Sequence, residues 1–183
     1  MNGFREKAVE AFVSLARRYR EVIETRDPDD VAAFLRDMHP LLAGLCRGAL
    51  ALPALAEIDL PDGADEDFTR DEAVTLVERS RPLNEALADE LGDDAYYWDL
   101  LDPYDEADPV EASLADDLTD IFVDLDEGLR RWESADAELR RTIAFEWRYT
   151  YENHWAQHAM GAMRAIHSLL YVHGMGEEDE DEF

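Results

Sequence analysis

Residues 113–129 read SLADDLTDIFVDLDEGL, and the spacing of their apolar side chains decides the fold class. Apolar residues recur every three or four positions, and at about 100° per residue they fall in one arc of a helical wheel. Asp117, Asp120 and Asp124, here called the acidic ribbon, follow one border of that arc. The stretch therefore predicts an amphipathic helix whose buried stripe consists of Leu114, Leu118, Ile121, Leu125, Leu129 and Trp132.

The same helical spacing extends over most of the chain, and alternating runs of β-branched residues, which would indicate strands, are absent. Short connections between amphipathic helices are typical of an antiparallel up-and-down bundle. We therefore expect an all-α fold of about five helices with a long C-terminal helix. The helices are predicted at about 4–24, 28–52, 69–91, 109–132 and 135–173.

Capping signals set these predicted boundaries. Asp27-Pro28 and Asp108-Pro109 each combine an N-cap acid with proline at the first helical position, and Thr69 with Glu72 matches a capping box. Ser134 is the predicted cap of the last helix. Because an α-helix rises about 1.5 Å per residue, that helix would be about 60 Å long, so a break or an overhang is expected in it.

The segments outside the helices are predicted from composition. Residues 53–68 are a loop, and residues 93–108 form an aromatic-rich connection. Residues 1–174 are expected to form one domain, followed by a disordered acidic tail at 175–183. The sequence contains neither an 18-residue apolar stretch nor an apolar segment near its N-terminus, so we expect a cytoplasmic protein.

The formal net charge is −28, from 45 acidic and 17 basic residues. Such a surface is repelled by nucleic acid and by anionic membranes, so neither is an expected partner. The carboxylate excess suggests a halophilic origin, because high salt screens the self-repulsion of the folded chain. The protein is then expected to unfold as salt falls well below molar. Thermal melts over a KCl series test this, and a melting temperature indifferent to salt would contradict it.

The last predicted helix carries a pair of histidines in the stretch EWRYTYENHWAQHAMGAMRAIHSLL. His154 and His158 are four residues apart, so they share a helix face, a spacing suited to zinc, iron or nickel. On the wheel they lie beside Tyr151 and Trp155 and away from the polar strip. Both rings are therefore expected inside the core or at its rim.

Two interpretations of this pair are open. The histidines and the acidic ribbon could together hold a divalent metal ion through Asp117, Asp120, Asp124, His154 and His158. They could instead form a buried polar network in which every group is hydrogen-bonded. Aromatic residues of the 93–108 connection could line a pocket beside them or plug one end of the bundle. The full candidate cluster is Tyr97, Trp98, Asp117, Asp120, Asp124, Tyr151, His154, Trp155 and His158.

DDLTD, at residues 116–120, also matches the DDxxD pattern with which helical prenyl-diphosphate enzymes hold magnesium. Those enzymes have a second acidic motif, a basic clamp for the diphosphate and a longer chain, which this sequence lacks. The match is therefore interpreted as the solvated edge of an acidic helix.

Three segments, YYWDLLDPYDE, SLADDLTDIFVDLDEGL and FEWRYTYENHWAQHA, resemble in this order a bacterial helical family known as domain of unknown function DUF5063. The resemblance extends from about Ala95 to Leu170. It implies an all-α fold and brings no catalytic residues. It also implies that one shared constellation comprises Tyr97, Trp98, Asp117, Asp120, Asp124, Trp147, His154, Trp155 and His158.

No complete catalytic set is recognisable, since the sequence has no Gly-rich phosphate loop, no nucleophile elbow and no CxxC motif. This favours a binding, adaptor or regulatory module whose partner is another protein, with a homo-oligomer as an open alternative. The alternative function is a metal-dependent hydrolase. It would use the Asp/His cluster between the last two helices, with one divalent metal ion activating water.

Overall fold

Helices make up most of the structure, a computed structural model that describes residues 3–54, 70–100, 104, 106 and 108–176. The predicted all-α bundle with a long C-terminal helix is confirmed. The predicted loop at 53–68 and the acidic tail fall almost entirely outside the described residues. The helices are α1 Gly3–Thr25, α2 Val31–Ala49, α3 Arg70–Leu91, α4 Leu114–Trp132, α5 Ala137–Thr150 and α6 Ala156–His167.

Helices α2 and α5 begin later than predicted, because in each case a second polar residue nearer the helix serves as the N-cap. The side chain of Asp30 accepts a hydrogen bond from the Ala33 amide at 3.0 Å, so α2 does not begin at Pro28. Asp136, rather than Ser134, caps α5 by accepting from two backbone amides at 3.0 and 2.9 Å. In a sequence this rich in acids, several neighbouring residues can serve as the cap.

A short antiparallel hairpin replaces the predicted start of α4, and the expectation of no strands was wrong. Strands β1 Tyr96–Asp99 and β2 Val110–Ser113 pair with Tyr96 opposite Ser113. Val110–Ser113 is extended, so the helix begins only after Ser113, whose Oγ accepts from the Asp116 amide at 3.3 Å. The hairpin therefore leads directly into α4.

Helix α3 ends at Leu91, as predicted, and the next residue, Gly92, has a φ of +57°, a conformation that favours glycine. A 3₁₀ turn at Gly92–Ala95 then leads into β1. Along β1 the side chains alternate, with Tyr97 and Asp99 half-buried and Tyr96 and Trp98 exposed. Alternation of this kind places two polar side chains on the strand face that packs against the bundle.

The long C-terminal helix runs without interruption through α5 and α6 over 36 residues. The expected break is not present; the helix instead contains two π-helical turns, at Tyr151–Trp155 and at Ser168–Val172. Each π turn closes i→i+5 hydrogen bonds, which changes the direction in which later side chains point. In the part of the chain that the structure describes, no helix is both long and apolar enough to cross a membrane.

Helix α4 lies at the centre of the bundle and packs against α1, α3, α5 and α6. Its predicted buried stripe is buried throughout, from Leu114 to Trp132. Asp126, which lies outside that stripe, is also buried and is reached by arginines from two helices. Arg130 lies 2.6 Å and Arg20 of α1 3.5 Å from its carboxylate. A buried charge held this way has its partners in place.

Candidate metal centre

The acidic ribbon of α4 and the histidine pair of the long C-terminal helix face each other. His154 Nδ1 lies 2.8 Å from Asp124 Oδ2, and His158 Nδ1 lies 2.8 Å from Asp117 Oδ1. Each imidazole is thus hydrogen-bonded through the same ring nitrogen to its own aspartate. This fixes the orientation of both rings and leaves both Nε2 atoms directed elsewhere.

Both Nε2 atoms are directed at the third member of the ribbon. Asp120 Oδ2 lies 3.4 Å from His158 Nε2 and 4.0 Å from His154 Nε2. One ligand atom from each of the three residues lies within 4.8 Å of the other two. Two imidazoles and a carboxylate therefore converge on one point, with an aspartate behind each ring, as in carboxylate–histidine–metal arrangements.

The cluster is open to solvent on one side. The side chain of His154 is 50% exposed and that of Asp120 33%, whereas His158 is 26% exposed. Asp117, which holds the deeper ring, is nearly buried. Catalytic metal sites combine about three protein ligands with a free position reached from solvent, and this cluster has that form.

The first π-helical turn, Tyr151–Trp155, contains His154 and directly precedes the turn that carries His158. Trp155, the last residue of that π turn, is fully buried and packs edge-on against Tyr151 with the ring centroids 4.7 Å apart. π turns inside α-helices are frequent at functional sites, and here the turn helps to set where both imidazoles point.

Tyr97 is the aromatic residue of the candidate cluster that reaches the site. Its hydroxyl donates a hydrogen bond to Asp117 Oδ2 at 2.6 Å. Burial raises the pKa of this phenol, and the carboxylate of Asp117 raises the pKa further. The Tyr97 hydroxyl therefore stays protonated and can donate its hydrogen bond. Six predicted members thus come together: Tyr97, Asp117, Asp120, Asp124, His154 and His158.

The other aromatic members of the candidate cluster and of the constellation lie elsewhere. Trp98 is 69% exposed on the outward face of β1, and its backbone carbonyl accepts a hydrogen bond from Arg164. Tyr151 is hydrogen-bonded to Cys46 instead. Trp147 and Trp155 are core residues.

Sequence reasoning missed two contributions from α6. Arg164 Nη2 donates to Asp99 Oδ1 at 2.5 Å and ties the hairpin to the helix. Gly161 lies where the Tyr97 hydroxyl approaches α6, and a Cβ there would be 2.3 Å from that oxygen. The sequence signal that could have indicated these contacts is the i, i+2 spacing of Tyr97 and Asp99. If 96–99 is a strand, this spacing places both side chains on the same face.

The aspartates make both imidazoles more basic. The hydrogen bond that His154 donates to Asp124 raises the pKa of His154 above 6.5, and the one that His158 donates to Asp117 does the same for His158, in each case against the opposing effect of burial. Burial also raises the pKa of Asp120, and the charge of Asp116 adds to this. A group whose pKa is raised by folding stabilises the fold below its unfolded pKa and loses that contribution as pH rises.

Accordingly, the metal-free protein is expected to lose stability relative to a His154→Gln/His158→Gln variant as pH rises above 6.5 through the two raised histidine pKa values. Thermal melts in chelator at several pH values measure the difference between the two proteins. Below pH 6.5 the difference is fully present, and the Asp120 carboxyl titrates in a separate window that begins near its usual 3.8. A difference that is constant across the range would contradict the assignment.

The fold and the site define a class: a helical bundle with a histidine–aspartate cluster between α4 and its C-terminal helix. The chain belongs to the family described as domain of unknown function DUF5063, whose family model matches residues 5–172. The match confirms the resemblance and extends it well to the N-terminal side of Ala95. No protein with a curated description matches the chain significantly.

A solved structure shares the fold. The crystal structure of protein BF1032 from Bacteroides fragilis superposes with a TM-score of 0.69 at 20% sequence identity, covering 90% of this chain and 93% of that one. At this identity the likeness concerns the bundle architecture alone, and the chemistry of the site is argued from the residues of this chain.

Proposed function

We propose that this protein binds one divalent transition metal ion through His154 Nε2, His158 Nε2 and Asp120, and acts as a metal-dependent hydrolase. A single observation carries the proposal: both Nε2 atoms converge on one carboxylate while separate aspartates hold both Nδ1 atoms. In this arrangement Asp117 and Asp124 orient the rings. The five-ligand hypothesis instead made both of them ligands of the metal ion.

The distances favour a metal centre over a polar network. Asp120 Oδ2 is 3.4 and 4.0 Å from the two Nε2 atoms, beyond the optimum for a hydrogen bond. Two ligands each about 2.05 Å from a tetrahedral zinc ion lie about 3.3 Å apart. The distance from Asp120 to His158 therefore suits two ligands of one cation better than two hydrogen-bonded partners. A small shift of His154 would bring its Nε2 to the same distance from Asp120.

The donor set indicates which metals fit. Imidazole suits zinc, iron, copper and nickel. The two histidines lie on adjacent turns of the C-terminal helix and the carboxylate lies on α4, and three protein ligands leave open positions on the metal. A zinc ion held this way would lower the pKa of a bound water to about 7, which is the chemistry that the metal would supply for hydrolysis at neutral pH. The chain's own residues hold and orient the ligands and leave the exposed side, next to His154, free for substrate.

The adaptor function, which the lack of a recognisable catalytic set favours, stays a prediction. The observation on its side is the outward face of the hairpin, where Tyr96 is 57% and Trp98 69% exposed. Exposed aromatic side chains of this kind occur in protein interfaces. Affinity capture at native salt with wild type and a Tyr96→Ser/Trp98→Ser variant tests it, and equal recovery of a partner by both would contradict a role for this face.

Metal analysis tests the hydrolase proposal. Wild-type protein purified without chelators or affinity metal is expected to contain close to one equivalent of a transition metal, and EDTA is expected to lower its melting temperature. Re-addition of Zn²⁺ should restore both the metal content and the melting temperature. Protein that contains no metal, takes up no Zn²⁺, Fe²⁺ or Ni²⁺ by calorimetry and melts identically in EDTA would overturn the proposal.

A further inference from the structure

One carboxylate connects the metal-binding cluster to the hairpin. The Oδ2 atom of Asp117 accepts a hydrogen bond from the Tyr97 hydroxyl at 2.6 Å. The Oδ1 atom of the same carboxylate lies 2.8 Å from His158 Nδ1. Asp117 is 6% exposed, so its two oxygens depend on these partners for orientation. Losing the tyrosine contact would leave the carboxylate free to rotate away from the ring that it holds.

Helix α6 is shaped to admit the tyrosine. Gly161 is three residues beyond His158, and a Cβ at that position would lie 2.3 Å from the Tyr97 hydroxyl oxygen and 3.4 Å from Asp99 Oδ2. Even an alanine would therefore displace the hydroxyl from Asp117. Glycine costs helix stability in the middle of a helix, so the close approach is a reason for its presence there.

A second contact fixes the strand that carries Tyr97. Arg164, one turn beyond Gly161, donates to Asp99 Oδ1 at 2.5 Å and to the Trp98 carbonyl at 3.0 Å. Its guanidinium also lies 5.9 Å from the centroid of the Tyr97 ring. The other strand of the hairpin ends at Ser113, the N-cap of α4, four residues before Asp117. The hairpin is thus attached to both helices that form the cluster.

We propose that Tyr97 is a positioning residue of the metal centre and that docking of the hairpin is energetically coupled to metal uptake. The proposal rests on the proposed function, since the coupled site is the same one. Tyr97 contacts no metal ligand directly; it acts through Asp117 on His158. Coupling of this kind is reciprocal, so a bound metal must stabilise the docked hairpin by as much as the docked hairpin stabilises the bound metal.

Two substitutions test the positioning role. Tyr97→Phe removes one hydrogen bond to the carboxylate that orients His158 and is expected to weaken Zn²⁺ binding about 10-fold, the lower end of the range for residues that contact a metal-bound histidine directly. Gly161→Ala should produce a loss of the same order without altering any polar group. The matched control is Tyr96→Phe on the same strand, whose side chain is exposed and points outward. Affinities are measured by competition with a chromophoric chelator, with circular dichroism to verify folding.

Hydrogen exchange supplies a readout that a purely structural tyrosine would not change. Addition of Zn²⁺ to wild type is expected to slow amide exchange in Tyr96–Asp99 and Val110–Ser113, and Tyr97→Phe should remove this metal dependence. If wild type binds Zn²⁺ but Tyr97→Phe and Gly161→Ala bind it equally well, the coupling is overturned and the hydrolase proposal is unaffected. If wild type binds no metal ion, both proposals are overturned.

Discussion

Replacing Asp120 by asparagine is expected to abolish stoichiometric metal binding while leaving the bundle folded. Asp120 supplies the carboxylate on which both imidazoles converge, and it contributes no close hydrogen bond that the fold requires. An asparagine side chain has the same shape but no charge, and neutral amides are poor ligands for zinc and iron. Metal content should fall from about one equivalent per chain to a trace.

The same substitution should not destabilise the metal-free protein. Burial and the nearby Asp116 charge raise the pKa of the Asp120 carboxyl, which means that the folded chain holds this charge at a cost. Removing the charge removes that cost, so the melting temperature in EDTA should equal or exceed that of wild type. A structural network that needed the carboxylate would show the opposite result.

Asp116→Asn is the matched control. Asp116 is exposed, belongs to the same helix and accepts a hydrogen bond from Asn84 at 3.1 Å rather than contacting either imidazole. Elemental analysis and calorimetric titration with Zn²⁺ on both variants compare loss of a ligand with loss of a neighbouring charge. An Asp120→Asn protein that binds Zn²⁺ as tightly as wild type would exclude Asp120 as a ligand.

Gly128→Ala is expected to cause the largest loss of stability from a single added methyl group. A Cβ at position 128 of α4 would lie 2.3 Å from Trp147 Nε1 and 2.4 Å from Cε2 of the same ring. Trp147 cannot move aside easily, because it is 2% exposed and lies between Phe12 at 5.3 Å and Trp132 at 5.5 Å. Overpacking of a core in this way costs about 1–3 kcal/mol or more.

Chemical denaturation in EDTA measures this effect apart from metal binding. Gly44→Ala in α2 serves as the control, since a Cβ there meets the flexible Leu15 side chain at 3.4 Å. A mid-helix Gly→Ala change with room for the methyl group should be neutral or should stabilise by up to about 1 kcal/mol. Combining Gly128→Ala with Trp147→Phe should recover part of the loss, and equal stability of Gly128→Ala and wild type would contradict the packing described.

The helices were predictable because their burial requires a regular pattern. In α4 the stripe from Leu114 to Trp132 has a period that only a helix satisfies, and its border correctly placed the acidic ribbon beside the core. The wheel placed His154 and His158 inside the core or at its rim, whereas in the structure His158 is half-buried and His154 is exposed. The buried stripe of α4 was predictable because that helix is regular, so one angle per residue describes it.

The hairpin could not be predicted in the same way. Its strands have four residues each, and a two-stranded ribbon of that length is marginally stable without tertiary contacts. What holds it includes Arg164, 65 residues from Asp99 along the chain. The local sequence pattern contains no information on such a contact. The Asp108-Pro109 signal therefore predicts a helix across Val110–Ser113, where the structure has a strand.

The π turn at Tyr151–Trp155 has a consequence for comparing members of the family. A turn with i→i+5 hydrogen bonds takes up about one residue more than an α turn, so the loss of one residue there can be absorbed by a return to α geometry with little rotation of the helix that follows. Relatives that lack that extra residue should show a one-position gap in an alignment opposite 151–155. In those relatives the residue aligned with His158 would still face α4, so the identity of the aligned side chains, and not the gap, decides whether the histidine–aspartate cluster can form.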